Sequence, residues 1–227
     1  MSNMYDGVKT WNPFKGCLFD CSYCRPSFQA QAKRQLHNCK RCYSYEPHVH
    51  HDRMKRVPTS EIVFACGNGD ISFCPPEIVN LMLVEVWKRP EQTFYFQSKE
   101  PNSLRFFDWP KNVILVTTLE TDKDDGYRRL VSATAPLPSE RYRQFFDLGY
   151  PRKVLTIEPI MEFTNGFRYM IQALQPEYVW VGYNSRPKQI QLPEPPLSKT
   201  LCLIEQLRGF GIAVIEKDMC SNRPTTP

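Results

Sequence analysis

The sequence predicts an α/β protein built as a partial (β/α)6-type TIM barrel, with parallel strands and the active site at their carboxyl ends. Two observations predict it. Short apolar runs rich in Val, Ile, Phe, Tyr and Trp alternate with stretches of helical spacing, and that alternation implies a parallel sheet. Six or seven such units fit into 227 residues, whereas a full eight-unit barrel takes about 250. An open doubly wound sheet is the competing architecture, but no Gly-x-Gly-x-x-Gly follows the first strand, so the dinucleotide-binding fingerprint is missing.

The strands are expected at residues 7–13, 62–66, 93–97, 113–117, 154–157, 178–181 and 212–215, several reading as buried on both faces. Residues 76–87 open with Pro76 and Glu77, a good first turn, and then repeat apolar side chains at Ile78, Leu81, Met82, Val84 and Val86. Further helices are expected at 139–148, 166–174 and 197–207, with Gly209 stopping the last. With no repeat and no second hydrophobic pattern, residues 1–227 read as one domain. Several of the 20 prolines, among them Pro193, Pro195 and Pro196, mark rigid loops rather than a linker.

Composition narrows the function classes. No apolar run approaches the roughly 18 residues that span a bilayer, and the first ten residues hold no apolar signal core, so a cytoplasmic protein without membrane contact is expected. In a reducing compartment nine cysteines suit metal or redox chemistry better than a disulfide framework. The net charge of +5 is local. Residues 25–56 carry eight basic and two acidic side chains, while the rest of the chain nets −1. All four histidines, His37, His48, His50 and His51, share that basic insertion. Such a patch attracts nucleic acid or another polyanion; a solvated loop is the plain alternative.

Polar residues follow each expected strand. They are the Cys17 loop, Gly67-Asn68-Gly69-Asp70, Ser98-Lys99-Glu100, Thr118 with Glu120, Glu158, Gly182-Tyr183-Asn184 and Glu216-Lys217-Asp218. Carboxyl ends of parallel barrel strands form the active face, so these groups are expected to converge on one mouth.

Cys17, Cys21 and Cys24 are spaced C-x3-C-x2-C. Three thiolates on a short loop bind three corners of a [4Fe–4S] cluster and leave the fourth iron open. A structural zinc ion needs four ligands, which Cys39 or His37 would have to complete.

This pattern, with the aromatic Tyr23 before Cys24 and its place after the first strand, resembles the signature of the radical S-adenosylmethionine (SAM) superfamily. Further blocks are Thr10-Trp11-Asn12-Pro13 with Gly16, Gly69-Asp70, Ser98-Lys99-Glu100-Pro101, Ile157-Glu158-Pro159-Ile160, Val181-Gly182-Tyr183 and Leu192-Pro193-Glu194-Pro195-Pro196. Running in order from Trp11 to Lys217, they are similar to a phage-associated radical-SAM-like family of unassigned function related to the spore photoproduct lyases. The resemblance implies a [4Fe–4S] cluster, SAM as cofactor, reductive cleavage to a 5′-deoxyadenosyl radical, and hydrogen abstraction from a substrate.

It also implies roles. Gly67, Asn68, Gly69 and Asp70 stand where the superfamily has a Gly-Gly-Glu segment facing the SAM amino group; Asp70 departs from that pattern by one methylene, and a plain turn is the alternative. Tyr23, Lys99, Thr118 and Glu120 are the other candidate cofactor contacts. Glu158, Asn184, Lys217 and Cys220 are candidate catalytic residues, Cys220 as a hydrogen donor of the kind photoproduct lyases use. Cys39 and Cys42 read either as half of a second metal site, completed by histidines of the insertion, or as free thiols. Three functions stay open: radical chemistry on a DNA or RNA base with Phe28, Tyr43 and Tyr45 as stacking residues, the same chemistry on a peptide or small metabolite, and a zinc-stabilised nucleic-acid-binding module. A flavodoxin or ferredoxin is the expected reductant.

Overall fold

The computed structural model describes residues 7–217 and 219. Its centre is a parallel sheet of seven strands: β1 (Val8–Trp11), β4 (Ile62–Ala65), β5 (Thr93–Gln97), β6 (Val113–Thr118), β7 (Lys153–Ile157), β8 (Tyr178–Val181) and β9 (Ala213–Glu216), in that spatial order. Each pairs in parallel register with the next, from Val8 opposite Ile62 to Val181 opposite Glu216. The two end strands, β1 and β9, do not pair with each other, so the barrel stays open. This is the expected partial TIM barrel, with seven strands.

Connecting helices bury one face of the sheet because their apolar residues recur every three to four positions. α3 (Pro76–Trp87) sets Ile78, Val79, Met82 and Val86 into the core. α5 (Pro138–Phe146), α6 (Phe167–Leu174) and α7 (Leu197–Gly209) do the same through Phe145, Ile171 and Leu203. Strands β6 and β7 are buried at every residue, Thr117, Thr118, Lys153 and Thr156 included, as expected of central strands covered on both faces.

The departures lie where periodicity is weakest. The first strand ends at Trp11, and Phe14–Lys15 form a separate short strand, β2, antiparallel to β3 (His48–Val49). Two-residue strands carry no repeat that a sequence pattern can register. The one-turn helices α1 (Ala30–Ala32), α2 (Lys40–Ser44) and α4 (Tyr127–Leu130) are likewise too short to leave a signal. No helix among the described residues is long and apolar enough to cross a membrane.

The basic insertion of residues 25–56 therefore packs as a small lobe on the barrel. Its far end returns through His50, whose N–H donates to the Pro13 carbonyl at 2.6 Å, and Arg53, whose carbonyl accepts from the Trp11 indole at 3.0 Å.

Candidate active site at the carboxyl ends of the strands

A cavity of about 680 Å³ opens at the carboxyl ends of the strands. Cys17, Cys21 and Cys24 line it, and so do Gly67, Asn68, Gly69, Asp70, Lys99, Thr118, Glu158, Asn184 and Lys217. Elements from both ends of the chain thus meet at one mouth, because parallel strands all end on the same side of the sheet.

The cysteine loop is anchored through its backbone. The Cys17 N–H donates to Tyr45 O at 3.3 Å, Ser22 N–H to Val131 O at 2.8 Å, and the Ser132 hydroxyl to Phe19 O at 2.5 Å. Asp20 turns the loop with φ 47° and is held by Arg25 and Gln29. Phe19 and Cys21 are buried against Tyr127, Val131 and Met161. These contacts leave the thiols to the cavity.

Gly16 and Gly69 explain how the loop seats on the sheet. Gly16 has φ +97°, and a Cβ there would fall 2.1 Å from Glu46 O; a Cβ on Gly69 would fall 2.7 Å from Gly16 O. Their backbones are bridged by Gly16 N–H to Asn68 O at 3.0 Å and Asp70 N–H to Gly16 O at 3.2 Å. Only glycine tolerates both the left-handed φ and such approach. Gly69 thus serves the join between the loops that follow β2 and β4, while a Cβ on Gly67 would fall 3.2 Å from the Phe64 ring.

Asp70 is buried, and its carboxylate works locally. One oxygen accepts from Ser72 N, Ser72 Oγ and Ser98 Oγ at 3.0, 2.8 and 2.7 Å; the other accepts from Lys99 N at 2.8 Å. It fastens the β4 loop to the β5 loop at the edge of the cavity.

Glu120 sits beneath the cavity rather than in its wall. It is 0% exposed, and its carboxylate accepts from Lys99 Nζ, from Arg141 at 2.8 Å, from Tyr23 Oη at 2.5 Å and from Tyr127 Oη at 3.1 Å. Burial alone would push its carboxyl up, but the Arg141 and Lys99 charges outweigh that and bring it down to about 2. Burial opposes the Lys99 ammonium too, yet Glu120 holds it above the ordinary lysine value. Tyr23, inside the cysteine motif, is thereby tied to a buried charge network. Tyr127 and Arg141 were not foreseen as members; neither follows a strand, and only the fold brings them under the loop.

The remaining candidates fall at the wall. Glu158 accepts from Lys217 Nζ across β7 and β9. Thr118 shares hydrogen bonds of 2.8 Å with Gln97 and Thr156. Asn184 spends its amide within its own loop, donating to Ile190 O at 2.6 Å and accepting from Arg186 N at 2.9 Å. Cys220 and Asp218 lie outside the described residues.

The residues fit the group that the resemblance implies. Burial raises the Cys17 thiol above its ordinary value, so its thiolate form calls for a cation beside it. Cys21 and Cys24 are hydrogen-bonded to each other, but the three loop thiols do not form a compact single-ion group. Among the described residues the one group of three or more His, Cys, Asp or Glu side chains that does so is elsewhere, at Cys39, Cys42, His48 and His50. Neither Cys39 nor His37 completes a four-ligand set on the Cys17 loop. Three thiols on one short loop, with no fourth protein ligand among the described residues, suit three corners of a cubane.

No family model matches the chain, and no curated protein does. Solved structures do. A radical SAM methyltransferase from Sphaerobacter thermophilus matches with TM-score 0.54 at 14% identity over 89% of this chain and 63% of its own. A spore photoproduct lyase mutant with bound AdoMet and dinucleoside spore photoproduct matches with TM-score 0.56 at 12% identity, over 91% and 75%. SuiB from Streptococcus suis, bound to the precursor peptide SuiA, matches with TM-score 0.55 at 11% identity, over 93% and 48%. The chain thus spans less than two thirds of the methyltransferase and about half of SuiB. Its seven parallel strands, open on one side with a cysteine loop at their carboxyl ends, give it the partial-barrel fold seen in the radical SAM methyltransferase, the spore photoproduct lyase and SuiB.

Proposed function

We propose that this chain is a radical SAM enzyme, with Cys17, Cys21 and Cys24 holding a [4Fe–4S] cluster in the cavity at the carboxyl ends of the strands. The observation that supports this reading is that all three thiols of one C-x3-C-x2-C loop line the cavity at the carboxyl ends of a partial barrel. Such a cluster, with its free iron on SAM, supplies the electron that cleaves the sulfonium to methionine and a 5′-deoxyadenosyl radical. The protein's own part is placement. Tyr23, braced on Glu120, fixes the aromatic of the motif. Gly67 and Asn68 offer backbone at close range on one wall, and the Glu158–Lys217 pair gives the opposite wall a carboxylate and an ammonium. Burying the cluster loop against Tyr127, Val131 and Met161 keeps water from its underside.

For the substrate, the reading is a nucleobase in DNA or RNA. Phe28 and Tyr45 of the basic lobe border the same cavity as the cysteines. Arg34, Lys40 and Lys55 make no ion pair among the described residues, leaving their charge for phosphate. The dinucleoside photoproduct bound in the lyase neighbour supports this direction. SuiB, with its precursor peptide, marks the peptide alternative. A flavodoxin or ferredoxin is the electron donor in this reading.

The test is anaerobic purification with iron and sulfide analysis, then reduction in the presence of SAM and assay for 5′-deoxyadenosine. The intact protein should form it, and Cys21→Ala should form none. Absence of both iron and 5′-deoxyadenosine in the intact protein would end the proposal.

A further inference from the structure

We infer that the basic lobe carries its own mononuclear zinc site, formed by Cys39, Cys42, His48 and His50. The four ligand atoms lie within 4.8 Å of one another. Cys39 Sγ is 3.5 Å from His48 Nε2, Cys42 Sγ is 3.3 Å from the same nitrogen and 3.2 Å from His50 Nε2, and the two imidazole nitrogens are 2.9 Å apart. With Zn–S of about 2.3 Å and Zn–N of about 2.0–2.1 Å, tetrahedral edges come to about 3.5 Å between sulfur and nitrogen and about 3.3 Å between nitrogens. The group is therefore nearly the size of a zinc tetrahedron, and binding would open it by a few tenths of an ångström where the histidines meet.

The surroundings orient the ligands. His48 Nδ1 lies 2.7 Å from the Glu46 carbonyl, which only accepts, so the proton is on Nδ1 and the Nε2 lone pair faces the sulfurs. A backbone carbonyl fixing the tautomer of a ligating histidine is the usual outer support of such a site. Cys39 caps α2, and its sulfur accepts from the Cys42 N–H at 3.4 Å, placing negative charge on sulfur at a helix start. Two thiolates and two neutral imidazoles cancel the charge of Zn²⁺. His37 and His51 are exposed and outside the group.

The same four residue types occur in a Rieske [2Fe–2S] centre, but there the cysteines hold one iron and the histidines the other. Here a histidine nitrogen touches both sulfurs, so the geometry takes one ion. The site lies where the lobe joins the barrel: His48 pairs with Lys15 in the β2–β3 hairpin, and Tyr45 and Glu46 cover Cys17 and Gly16. A zinc ion would pin residues 39–50, a lobe with little apolar core of its own, against the backbone of the cluster loop.

The inference does not depend on the iron chemistry, and its test keeps the two apart. The Cys17→Ala/Cys21→Ala/Cys24→Ala variant, purified anaerobically without chelator, should hold about one zinc per chain. Cys39→Ser/Cys42→Ser should lose at least about tenfold of it, and His37→Ala/His51→Ala should keep it. Should the serine variant fail to fold, Co²⁺ loaded into the triple-alanine variant reads the same site, with intense visible bands of a tetrahedral thiolate complex expected. Zinc below a tenth of an equivalent after incubation with Zn²⁺, full zinc in the serine variant, a weak octahedral cobalt spectrum, or iron bound in the triple-alanine variant would each overturn the site.

Discussion

Replacing Glu120 by Gln removes the one negative charge between two buried cations, Lys99 and Arg141. The structure sets the size of the effect. Lowering the carboxyl from 4.5 to about 2 corresponds to about 3 kcal/mol of stability at neutral pH, taking about 1.4 kcal/mol for each pH unit. Breaking a fully buried pair independently predicts about 3–5 kcal/mol, because the cations stay desolvated without a partner. The sign follows from the depressed value. The contribution is complete above pH 4.5, falls as the unfolded chain takes up the proton, and is gone below about pH 2. Urea unfolding of the parent and of Glu120→Gln at pH 7, 5 and 3 should show a deficit of about 3 kcal/mol that shrinks at pH 3. Lys99→Met in the Gln background should recover part of it, since the two side chains are coupled. A deficit below about 1 kcal/mol at pH 7, or one that does not change down to pH 3, would refute the network as drawn.

Three other outcomes follow from named contacts. Gly16→Ala puts a Cβ into Glu46 at φ +97°; it should cost about 1–3 kcal/mol in thermal unfolding and lower iron content together with it. Asp70→Ala strands the Ser98 hydroxyl and the Lys99 N–H, both buried, and should cost about 2–4 kcal/mol in chemical unfolding, whereas Asp70→Asn, which keeps acceptor oxygen, should cost less. Charge reversal of Arg34 and Lys40 should weaken binding to single-stranded DNA or RNA and reduce its salt slope by about one per lost phosphate contact; an unchanged slope would count against the nucleic-acid substrate and leave the cluster reading intact.

The sequence by itself determined the layering and marked out the cysteine loop. β6 reads as buried because residues 113–116 are an unbroken apolar run, and α3 as a helix because Ile78, Met82 and Val86 repeat along one face, although Leu81 and Val84, read into the same pattern, are exposed. Cys17, Cys21 and Cys24 stand out because three cysteines lie within eight residues, where spacing alone is informative. Strand ends supplied most of the cavity wall for a similar reason: parallel strands deliver whatever follows them to one side.

Only the tertiary structure decided what each side chain does once there. Thr118 ends β6 and Glu120 lies two residues on, yet Glu120 is buried on Arg141 and Tyr127 while Thr118 faces the cavity. Gly69 lines the cavity, as a ligand contact would require, and also makes room for Gly16. In the lobe, a C-x2-C pair and four histidines allowed many groupings, and the β2–β3 pairing, too short to leave a pattern, brought His48 and His50 rather than His37 and His51 beside the two cysteines. Periodicity and spacing record local geometry. Long-range pairing of charges and ligands depends on which elements the folded chain brings within a few ångströms, and no short stretch of sequence carries that information.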